Sequence, residues 1–387
     1  MSIHGTELQI TLDGRPVRTL EAEQVQVPPG RGAPIGMTAD GTLYAALAIE
    51  GPGLESVLLS STDQGRSWAQ QPLDWRQFAD HTLAPDAPRA EFFKNRWAMR
   101  NDSFGVLRDG TLLWAFNQVL TPYGFAGPGG DLFVIRSEDR GRSWDGPVKI
   151  DKQGFGSAGN NSNRMTELPD GTVLWPVRLG MTASQMAEIP PYTVKDLLTV
   201  NGNYVVRSSD QGRNWVDPAP MPDGSDEATL LRLQSGRIIA AIRFQLLIDV
   251  ESPWSKYSKS IFLADSQDDG RTWVDFRPVR RTRDGPVDVK VGECHGELNE
   301  LSDGTLVLTH DRRYPTDQQR VVARISRDRG QTWLPEHYHL TRAWKHVPAT
   351  SPRGYGTGYA SSVVLDDDTI VTMTGAGHAL RWRVQPA

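Results

Sequence analysis

The sequence predicts an all-β protein, a six-bladed β-propeller, and two interleaved repeats with one missing copy are the observations behind this prediction. The first repeat, Ser-x-Asp-x-Gly-x-(Ser/Thr/Asn)-Trp, is called the Ser-to-Trp motif below. Asp-Gly-Thr between two apolar runs is the second. The first repeat stops before the chain ends, which leaves a last unit to be completed from elsewhere. The five Ser-to-Trp motifs span Ser61 to Trp68, Ser137 to Trp144, Ser208 to Trp215, Ser266 to Trp273 and Ser326 to Trp333.

The Ser-to-Trp motif has the chemistry of a tight turn between two strands. Its Asp side chain can accept hydrogen bonds from nearby backbone N–H groups, and its Gly can adopt a positive φ that other residues resist. The Trp supplies an apolar anchor for the turn. Five copies along one chain make chance resemblance an inadequate explanation, and a fixed-period repeat is typical of a solenoid or a propeller.

The second repeat sets the number of blades. Asp-Gly between apolar runs is a strong signal for a β-hairpin. Two of the six copies are degenerate, with Ser-Gly-Arg in one and Asp-Asp-Thr in the other. The six hairpins are centred on Asp40, Asp109, Asp170, Ser235, Asp303 and Asp367.

The sixth unit needs an outer strand from elsewhere in the chain. Its last evident strand is His378 to Val384. An unpaired edge would be a template for aggregation. Either Leu8 to Leu12 or Val17 to Val27 is therefore predicted to pair with the C-terminal strand and close the ring. A ring of four-stranded blades of about 65 residues each is one way in which β proteins protect their edges.

Repeats from end to end predict a single domain over residues 1–387, with two insertions as loops over one face. The first insertion is Gln70 to Arg100, and the second is Met181 to Val200. A short helix is expected within Met186 to Leu198. Long excursions without repeats in a compact fold are usually functional loops or disorder.

Composition excludes several classes of function. The net charge is −5 without a block of like charges, which argues against nucleic-acid binding. A single cysteine, Cys294, excludes an intramolecular disulfide and a cysteine-based zinc site, and the histidines lack metal-ligand spacing. No cofactor, metal or membrane contact is expected. Without a visible signal peptide the sequence predicts a cytoplasmic protein, or a secreted or periplasmic one if such a peptide has been removed.

Equivalent positions in the six units should form a polar ring around the central channel. Counting eight residues back from each hairpin centre gives one position per blade, because the innermost strands of all blades open toward the same channel. The positions one residue earlier add two arginines and an aspartate. The ring is predicted to contain Gly32, Asn101, Ser162, Glu227, His295 and Tyr359, preceded by Arg31, Arg100, Asn161, Asp226, Cys294 and Gly358.

With these residues the chain resembles the sialidases, six-bladed propellers in which the Ser-to-Trp motif is known as the Asp-box. In that family a Tyr that opens the last blade is the nucleophile, and a Glu that opens the fourth blade accepts its proton. The resemblance assigns these roles to Tyr359 and Glu227. A neutral phenol can approach an anomeric carbon beside a carboxylate without the repulsion that a charged nucleophile would meet.

The resemblance also implies three arginines that hold a substrate carboxylate. Arg31 and Arg243 match the first two, and Arg320 matches the third, with Arg312 and Arg313 as competitors. Two bidentate guanidinium groups favour a carboxylate ligand, so an acidic carbohydrate is the expected partner. Further contacts to the sugar are expected from Asn101, Asp102, Arg164 and His295.

One departure from the family concerns the acid/base residue. Sialidases carry an Asp for this role after the second strand of the first blade, but the corresponding segment, Ile49 to Ser56, has none. Glu50, Glu55, or Asp80 and His81 from the first insertion are the candidates to replace it.

The expected activity is release of a terminal acidic sugar, such as sialic acid or a related nonulosonic acid, with retention of configuration. A lyase or hydrolase acting on uronate-containing glycans is one alternative, in which Tyr359 or His295 abstracts a proton. Another is a propeller without catalysis that binds glycan or protein. The convergence of Glu, Tyr and Arg on one rim favours an enzyme, because a scaffold does not require it.

Overall fold

The computed structural model describes most of the repeat units and omits several connections. A short first hairpin pairs β1 (Thr11–Leu12) with β2 (Arg15–Pro16) and stands apart from the blades. The structure describes residues 11–12, 15–16, 22–28, 30, 34–48, 55–74, 78, 100–118, 130–159, 163–188, 201–247, 257–279, 293–312, 320–334, 337–340, 359–375 and 377–384.

Six antiparallel sheets form a six-bladed β-propeller. In chain order, β3 (Glu23–Gln26) precedes the first blade and belongs to the last one. Blade one consists of β4 (Ile35–Met37), β5 (Leu43–Ala48), β6 (Glu55–Ser61) and β7 (Ala69–Asp74). Blade two consists of β8 (Arg100–Val106), β9 (Leu112–Gln118), β10 (Asp131–Ser137) and β11 (Asp145–Lys149).

Blade three has a divided first strand. Two short pieces, β12 and β13, pair with the same neighbour, β14. The blade consists of β12 (Ser157–Gly159), β13 (Thr166–Glu167), β14 (Val173–Gly180), β15 (Asn201–Ser208) and β16 (Val216–Pro220).

The last three blades repeat the four-stranded pattern. Blade four consists of β17 (Ser225–Arg232), β18 (Ile238–Leu247), β19 (Tyr257–Ser266) and β20 (Val274–Pro278). Blade five consists of β21 (Glu293–Glu300), β22 (Leu306–Arg312), β23 (Arg320–Ser326) and β24 (His337–His339). Blade six consists of β25 (Ser361–Val364), β26 (Ile370–Thr374), β27 (His378–Trp382) and β3.

The ring closes through β3, which pairs antiparallel with β27 in the register Val25 to Ala379. This confirms the prediction that a strand within Val17 to Val27 completes the sixth blade. The alternative strand, Leu8 to Leu12, is wrong, because its described part, Thr11–Leu12, is paired in the small hairpin with Arg15–Pro16. The first strand of each blade contacts first strands of neighbouring blades, so these strands surround the central channel.

The hydrophobic core is divided into six clusters, and each cluster fills the seam between two adjacent blades. The seam between blades two and three, for example, buries Leu113 against Trp175. The seam between blades six and one buries Val371 against Leu43 and closes the ring. Burial of apolar area in every seam, at about 25 cal/mol per Å², is the main force that holds the blades together.

The Asp-Gly-Thr repeats form the predicted hairpins between the first and second strands of the blades. In blade one the Asp40 carboxylate accepts a hydrogen bond from the backbone N–H of Thr42 at 3.1 Å. Gly41 lies between them with a φ of 80°, a conformation that glycine adopts without steric cost. The same contact from the hairpin Asp recurs in blades two, three, five and six.

The Ser-to-Trp motifs form the turns between the third and fourth strands in blades one to five. In the first copy Asp63 accepts hydrogen bonds from the Ser67 backbone N–H at 2.9 Å and from the Ser61 hydroxyl at 2.7 Å. The Ser61 hydroxyl in turn accepts the N–H of Gly65 at 2.8 Å. All five copies repeat this pattern, so the motif closes a self-contained network within each turn.

Each Ser-to-Trp turn also packs on the blade before it. A Cβ added to Gly141 in blade two would overlap the side chain of Leu58 in blade one. Arg381 of blade six donates to the carbonyl of Gln64 in the turn of blade one at 2.8 Å. The turns therefore join neighbouring blades as well as neighbouring strands. Comparable contacts link Gln71 to Gly141, Arg136 to Gln211, Arg207 to Asp269 and Arg277 to Gly330.

The first insertion starts later than predicted, whereas the second lies between β14 and β15 over the predicted residues 181–200. Residues 70–74 belong to β7, so the excursion in blade one starts after Asp74. In the second insertion a helix, α1, spans Ala183–Glu188 and begins before the predicted Met186. The reason is a capping box: Thr182 Oγ1 accepts from the Gln185 N–H at 3.3 Å, and Gln185 Oε1 accepts from the Thr182 N–H at 2.8 Å.

Candidate functional site

The site begins with a β-bulge that recurs in the innermost strands. Between Ser225 and Ala228, β17 has one residue more than the facing part of β18, and β8 and β21 have the same irregularity. Such a bulge turns a side chain away from the regular alternation of a strand. In β17 the bulge contains Asp226 and Glu227, and in β21 it contains His295. The counting rule from the hairpin centres therefore identified the bulged positions.

The backbones of Tyr359 and His295 adopt the left-handed conformation, with φ values of 67° and 51°. Bulky residues other than glycine rarely do so, and such strain persists only where the surroundings enforce it. At Tyr359 the backbone N–H donates a 2.8 Å hydrogen bond to the carboxylate of Asp311, which is fully buried on β22. Asp311 therefore holds the backbone of Tyr359 in place from the neighbouring blade.

Tyr359 and Glu227 meet directly across the channel. The Tyr359 hydroxyl donates to Glu227 Oε1 at 3.1 Å, although the two residues lie 132 positions apart and belong to different blades. Both are nearly inaccessible, with 4% and 2% of their surface exposed. A phenol that donates to a buried carboxylate is polarised toward phenolate, since the carboxylate is the acceptor for its proton.

A second carboxylate, Asp226, lies next to Glu227 and is bound by two arginines. Arg243 on β18 donates from Nε to Asp226 Oδ2 at 2.9 Å and also contacts it through Nη2. The Nη1 of Arg243 lies 2.8 Å from Glu227 Oε2. Arg178 on β14 binds the other oxygen of Asp226, and its Nη2 lies 3.9 Å from Glu227 Oε1. Two buried arginines and two buried carboxylates from blades three and four thus lie in contact, with opposite charges.

The backbone of the bulge is held as well. The side-chain amide of Asn203 on β15 donates to the carbonyl oxygen of Asp226. A buried charge costs several kcal/mol unless it is paired and hydrogen-bonded, so this bulge is stable only with its arginines in place. The sequence analysis did not identify Arg178, Asn203 or Asp311 as part of the site.

His295 lies next to both Tyr359 and Glu227. Its ring meets the Tyr359 ring edge-on, with the ring centroids 4.9 Å apart and the planes at 70°. Its Nδ1 is 4.0 Å from Glu227 Oε2. The imidazole therefore packs against the phenol and lies at the limit of an ion pair with the carboxylate.

Arg164, which was expected to bind the sugar, contacts residues of two other blades. It extends from blade three, and its Nε lies 3.2 Å from Glu297 Oε1 on β21 of blade five. Its Nη1 donates to the Ser362 carbonyl of blade six at 3.0 Å. Burial raises the pKa of Glu297, and the Arg164 charge opposes that effect. The guanidinium of Arg164 is thus engaged with the channel wall.

Several predicted site residues fall outside the described part of the chain. These are three of the candidate acid/base residues and one arginine, namely Glu50, Asp80, His81 and Arg31. Four more lie on described strands, but their side chains are not described: Glu55, Asn101, Asp102 and Arg320.

Among the described residues, no group of three or more His, Cys, Asp or Glu side chains is arranged to hold a metal ion. In the same part of the chain, no helix has the length and apolar character needed to cross a membrane.

One sequence signal would have located two of the three missed residues, Arg178 and Asp311. Counting eight residues forward from each hairpin centre, instead of backward, reaches the second strand opposite the bulge in blade four and beside it in blades two and five. In blades two to five this position is polar or charged throughout. The residues reached are Asn117, Arg178, Arg243 and Asp311.

No protein-family model matches the sequence, and no curated protein is similar to it in sequence. Solved structures do resemble it. The Hadza microbial sialidase is 16% identical with a TM-score of 0.62, over 96% of this chain and 71% of the other. Trypanosoma rangeli sialidase in complex with sialic acid is 13% identical with a TM-score of 0.59, over 94% of this chain and 59% of the other.

A third similar structure is Penicillium chrysogenum α-L-arabinanase complexed with arabinobiose. It is 13% identical with a TM-score of 0.56, over 92% of this chain and 96% of the other. At these identities the similarity concerns the fold. The chain is a divergent propeller with the six-bladed fold of sialidases and of an arabinanase.

Proposed function

We propose that this protein is an exo-acting glycoside hydrolase that releases a terminal acidic sugar, such as sialic acid or a related nonulosonic acid. The observation that carries the proposal is the buried 3.1 Å hydrogen bond from the Tyr359 hydroxyl to Glu227 Oε1. The two residues come from blades six and four and converge on the channel. Outside catalysis, little is gained by burying a carboxylate against a phenol that is held in a strained backbone conformation.

In the proposed reaction Tyr359 is the nucleophile and Glu227 is its base. The phenol oxygen bonds to the anomeric carbon as its proton moves to Glu227, and the glycosidic C–O bond breaks. A general acid protonates the departing oxygen. The candidates for that role remain Glu50, Glu55, Asp80 and His81. Water then gives a proton to the conjugate base of that general acid and attacks the anomeric carbon, the bond to Tyr359 breaks, and Glu227 returns its proton to the phenolate. Two displacements retain the configuration.

The acidic nature of the sugar is the finer part of the proposal. It is supported by the fold shared with Trypanosoma rangeli sialidase, whose structure holds sialic acid. Within this chain, Arg31 and Arg320 remain the proposed contacts to the sugar carboxylate. The arabinanase among the similar structures means that the fold by itself does not select the sugar.

A panel of substrates tests the proposed reaction class. The 4-methylumbelliferyl glycosides of N-acetylneuraminic acid, glucuronic acid and L-arabinose would be tested beside uronate polysaccharides. Free acidic sugar with retained configuration, observed by proton NMR, is the expected product. Ultraviolet absorbance from an unsaturated uronate would instead identify a lyase. Binding on a glycan array without turnover of any member would identify a binding protein.

A mechanism-based probe tests the role of Tyr359. A 2,3-difluorinated sialic acid should leave a covalent adduct on the peptide that contains Tyr359, and mass spectrometry would locate it. Tyr359→Phe should form no adduct and lose at least about 10³-fold in kcat/KM, because the reacting oxygen is absent. An adduct on another residue, or full activity of this variant, would contradict the assignment.

A further inference from the structure

We infer that Arg243 serves Glu227 and Asp226 and does not receive the substrate: it is a positioning residue for the proposed base. The inference rests on the proposed function and removes Arg243 from the residues expected to bind the sugar carboxylate. Selectivity for an acidic sugar must then come from groups other than Arg243.

The first argument is the occupancy of the Arg243 guanidinium. All three of its nitrogens face carboxylates of the protein: Nε and Nη2 contact Asp226, and Nη1 lies 2.8 Å from Glu227 Oε2. Only 6% of the residue is exposed. A guanidinium binds carboxylates through this planar fork of donors, and here its Nε and Nη2 side is hydrogen-bonded to Asp226 while Nη1 forms an ion pair with Glu227.

The second argument is charge balance. Arg178 and Arg243 contribute two positive charges, and Asp226 and Glu227 contribute two negative ones, within one buried group. A substrate carboxylate entering this group would meet two carboxylates at short range in a place of low dielectric constant. It would also compete with Asp226, which already contacts Arg243 through Nε and Nη2.

The third argument is what the contact does for the proposed reaction. Glu227 must be ionised to accept the proton of Tyr359, and burial opposes ionisation. The Arg243 cation at 2.8 Å from Oε2 favours the ionised carboxylate, while Oε1 faces the phenol. Two other groups face this carboxylate: Arg178 Nη2 lies 3.9 Å from Oε1, and His295 Nδ1 lies 4.0 Å from Oε2. Arg243 therefore supports the charge that Glu227 needs as a base.

The experiment compares Arg243→Met with Arg277→Met. Arg277 is a matched control, because it is also a buried arginine of blade four that pairs with a buried carboxylate, Asp265, at 3.0 Å, but on the outer strands. The probes are the 4-methylumbelliferyl α-glycoside of N-acetylneuraminic acid and its methyl ester. For each variant, kcat/KM would be measured with both probes over a range of pH.

In Arg243→Met the acidic limb of the kcat/KM profile should move to higher pH by about one pH unit or more, because Glu227 has lost its cation. The preference for the acid over its methyl ester should stay as in the wild type. Arg243→Lys should recover part of the displaced limb, since an ammonium restores the charge but not the fork. Arg277→Met should leave both the limb and the preference unchanged, even where it lowers stability.

The opposite result would overturn the inference. If Arg243 receives the substrate, Arg243→Met should lose at least about tenfold of the acid-over-ester preference. An acidic limb that stays in place would equally contradict a role through Glu227.

A measurement without substrate keeps this inference separate from the proposed function. Unfolding free energies of the wild type, Arg243→Met, Glu227→Gln and the double variant form a double-mutant cycle. Strong non-additivity is expected, because each single change leaves its partner buried and unpaired. Additive losses would refute the contact. If the wild type hydrolyses none of the probes, the proposed function fails and this cycle alone decides the role of Arg243.

Discussion

Asp63 in an outer turn and Asp226 on the channel rim are bound in opposite ways. Asp63 is partly exposed, and its hydrogen bonds come from its own turn, from Ser61 and Ser67. Asp226 is buried and is bound by arginines from two blades. The first arrangement occurs five times in the chain, whereas the rim positions that precede the hairpins hold different residues in every blade. The contacts that recur in five turns belong to the scaffold. The contacts of Asp226 are made at one position of the rim and belong to the candidate site.

The bulge shows how the two kinds of contact coexist. It recurs in β8, β17 and β21, so it belongs to the scaffold, but the residues it presents differ from blade to blade. In β17 it presents a carboxylate that meets Tyr359, and in β21 an imidazole that packs on the same phenol. A distortion of the backbone that recurs among the blades thus carries different side chains, which is how one propeller fold can serve several functions.

The largest effect should come from the rim. Glu227→Gln removes the proton acceptor of Tyr359 but keeps the size of the side chain, so kcat/KM on the substrate found by the panel should fall by about 10² to 10⁴-fold. Asp328→Asn, in the turn of blade five, is the control and should retain activity because the turn lies on the outer strands. Comparable kcat/KM values for the two variants would remove the distinction between rim and turn.

The next effect is on stability. Asp226→Ala leaves Arg178 and Arg243 without the carboxylate that joins them, and loss of one partner from a buried ion pair costs about 3–5 kcal/mol. Asp63→Ala should cost much less, since its turn is open to solvent and water can replace the lost hydrogen bonds. Denaturant unfolding of both variants would measure the difference. Equal losses would mean that the buried cluster contributes no more than an exposed turn.

The fold was predictable because its information is local and repeated. Asp-Gly-Thr hairpins and Ser-to-Trp turns each lie within a few residues, and six copies determine the number of blades. The start of α1 was predicted too late because the capping box formed by Thr182 and Gln185 was overlooked. That error concerned one helix boundary and did not affect the ring.

The candidate site was predictable only in part, because its contacts join distant segments. Tyr359 and Glu227 were identified from their positions and from the family resemblance. Their supporting residues, Arg178 and Asp311, belong to the second strands of other blades. No local motif marks these residues. The alignment of the hairpins would have reached them only if the corresponding position on the second strand had been considered.

A smaller effect should separate two turns that share one motif. Gly141 and Gly270 have φ values of 86° and 77°, so alanine strains both by about 1–2 kcal/mol. The new Cβ would overlap the side chain of Leu58 at Gly141 but would meet neighbours at ordinary distances of 3.6 Å or more at Gly270. Gly141→Ala should therefore lose about 1–3 kcal/mol more, from overpacking of a seam between blades. Thermal unfolding of the two variants tests this, and equal melting temperatures would contradict a role of the turn in joining blades.

The smallest effect concerns the pH dependence of the outer turns. The hydroxyl of Ser67 donates to Asp63 and, with the backbone N–H of the same residue, lowers the pKa of that carboxyl from 3.8 to about 2. A carboxyl with a lowered pKa in the folded state stabilises the protein above its ordinary pKa, and this contribution is lost as the pH falls from about 4 toward 2. The side chain in Asp63→Asn is uncharged at every pH. The melting temperature of this variant should therefore lie below that of the wild type at neutral pH and approach it in acid, where the Asp63 carboxylate is protonated. Asp139 has the same contacts and a pKa of about 2, so Asp139→Asn should behave alike. A difference in melting temperature that is the same at pH 7 and pH 2 would mean that these turns are held by their hydrogen bonds without any contribution from the carboxylate charge.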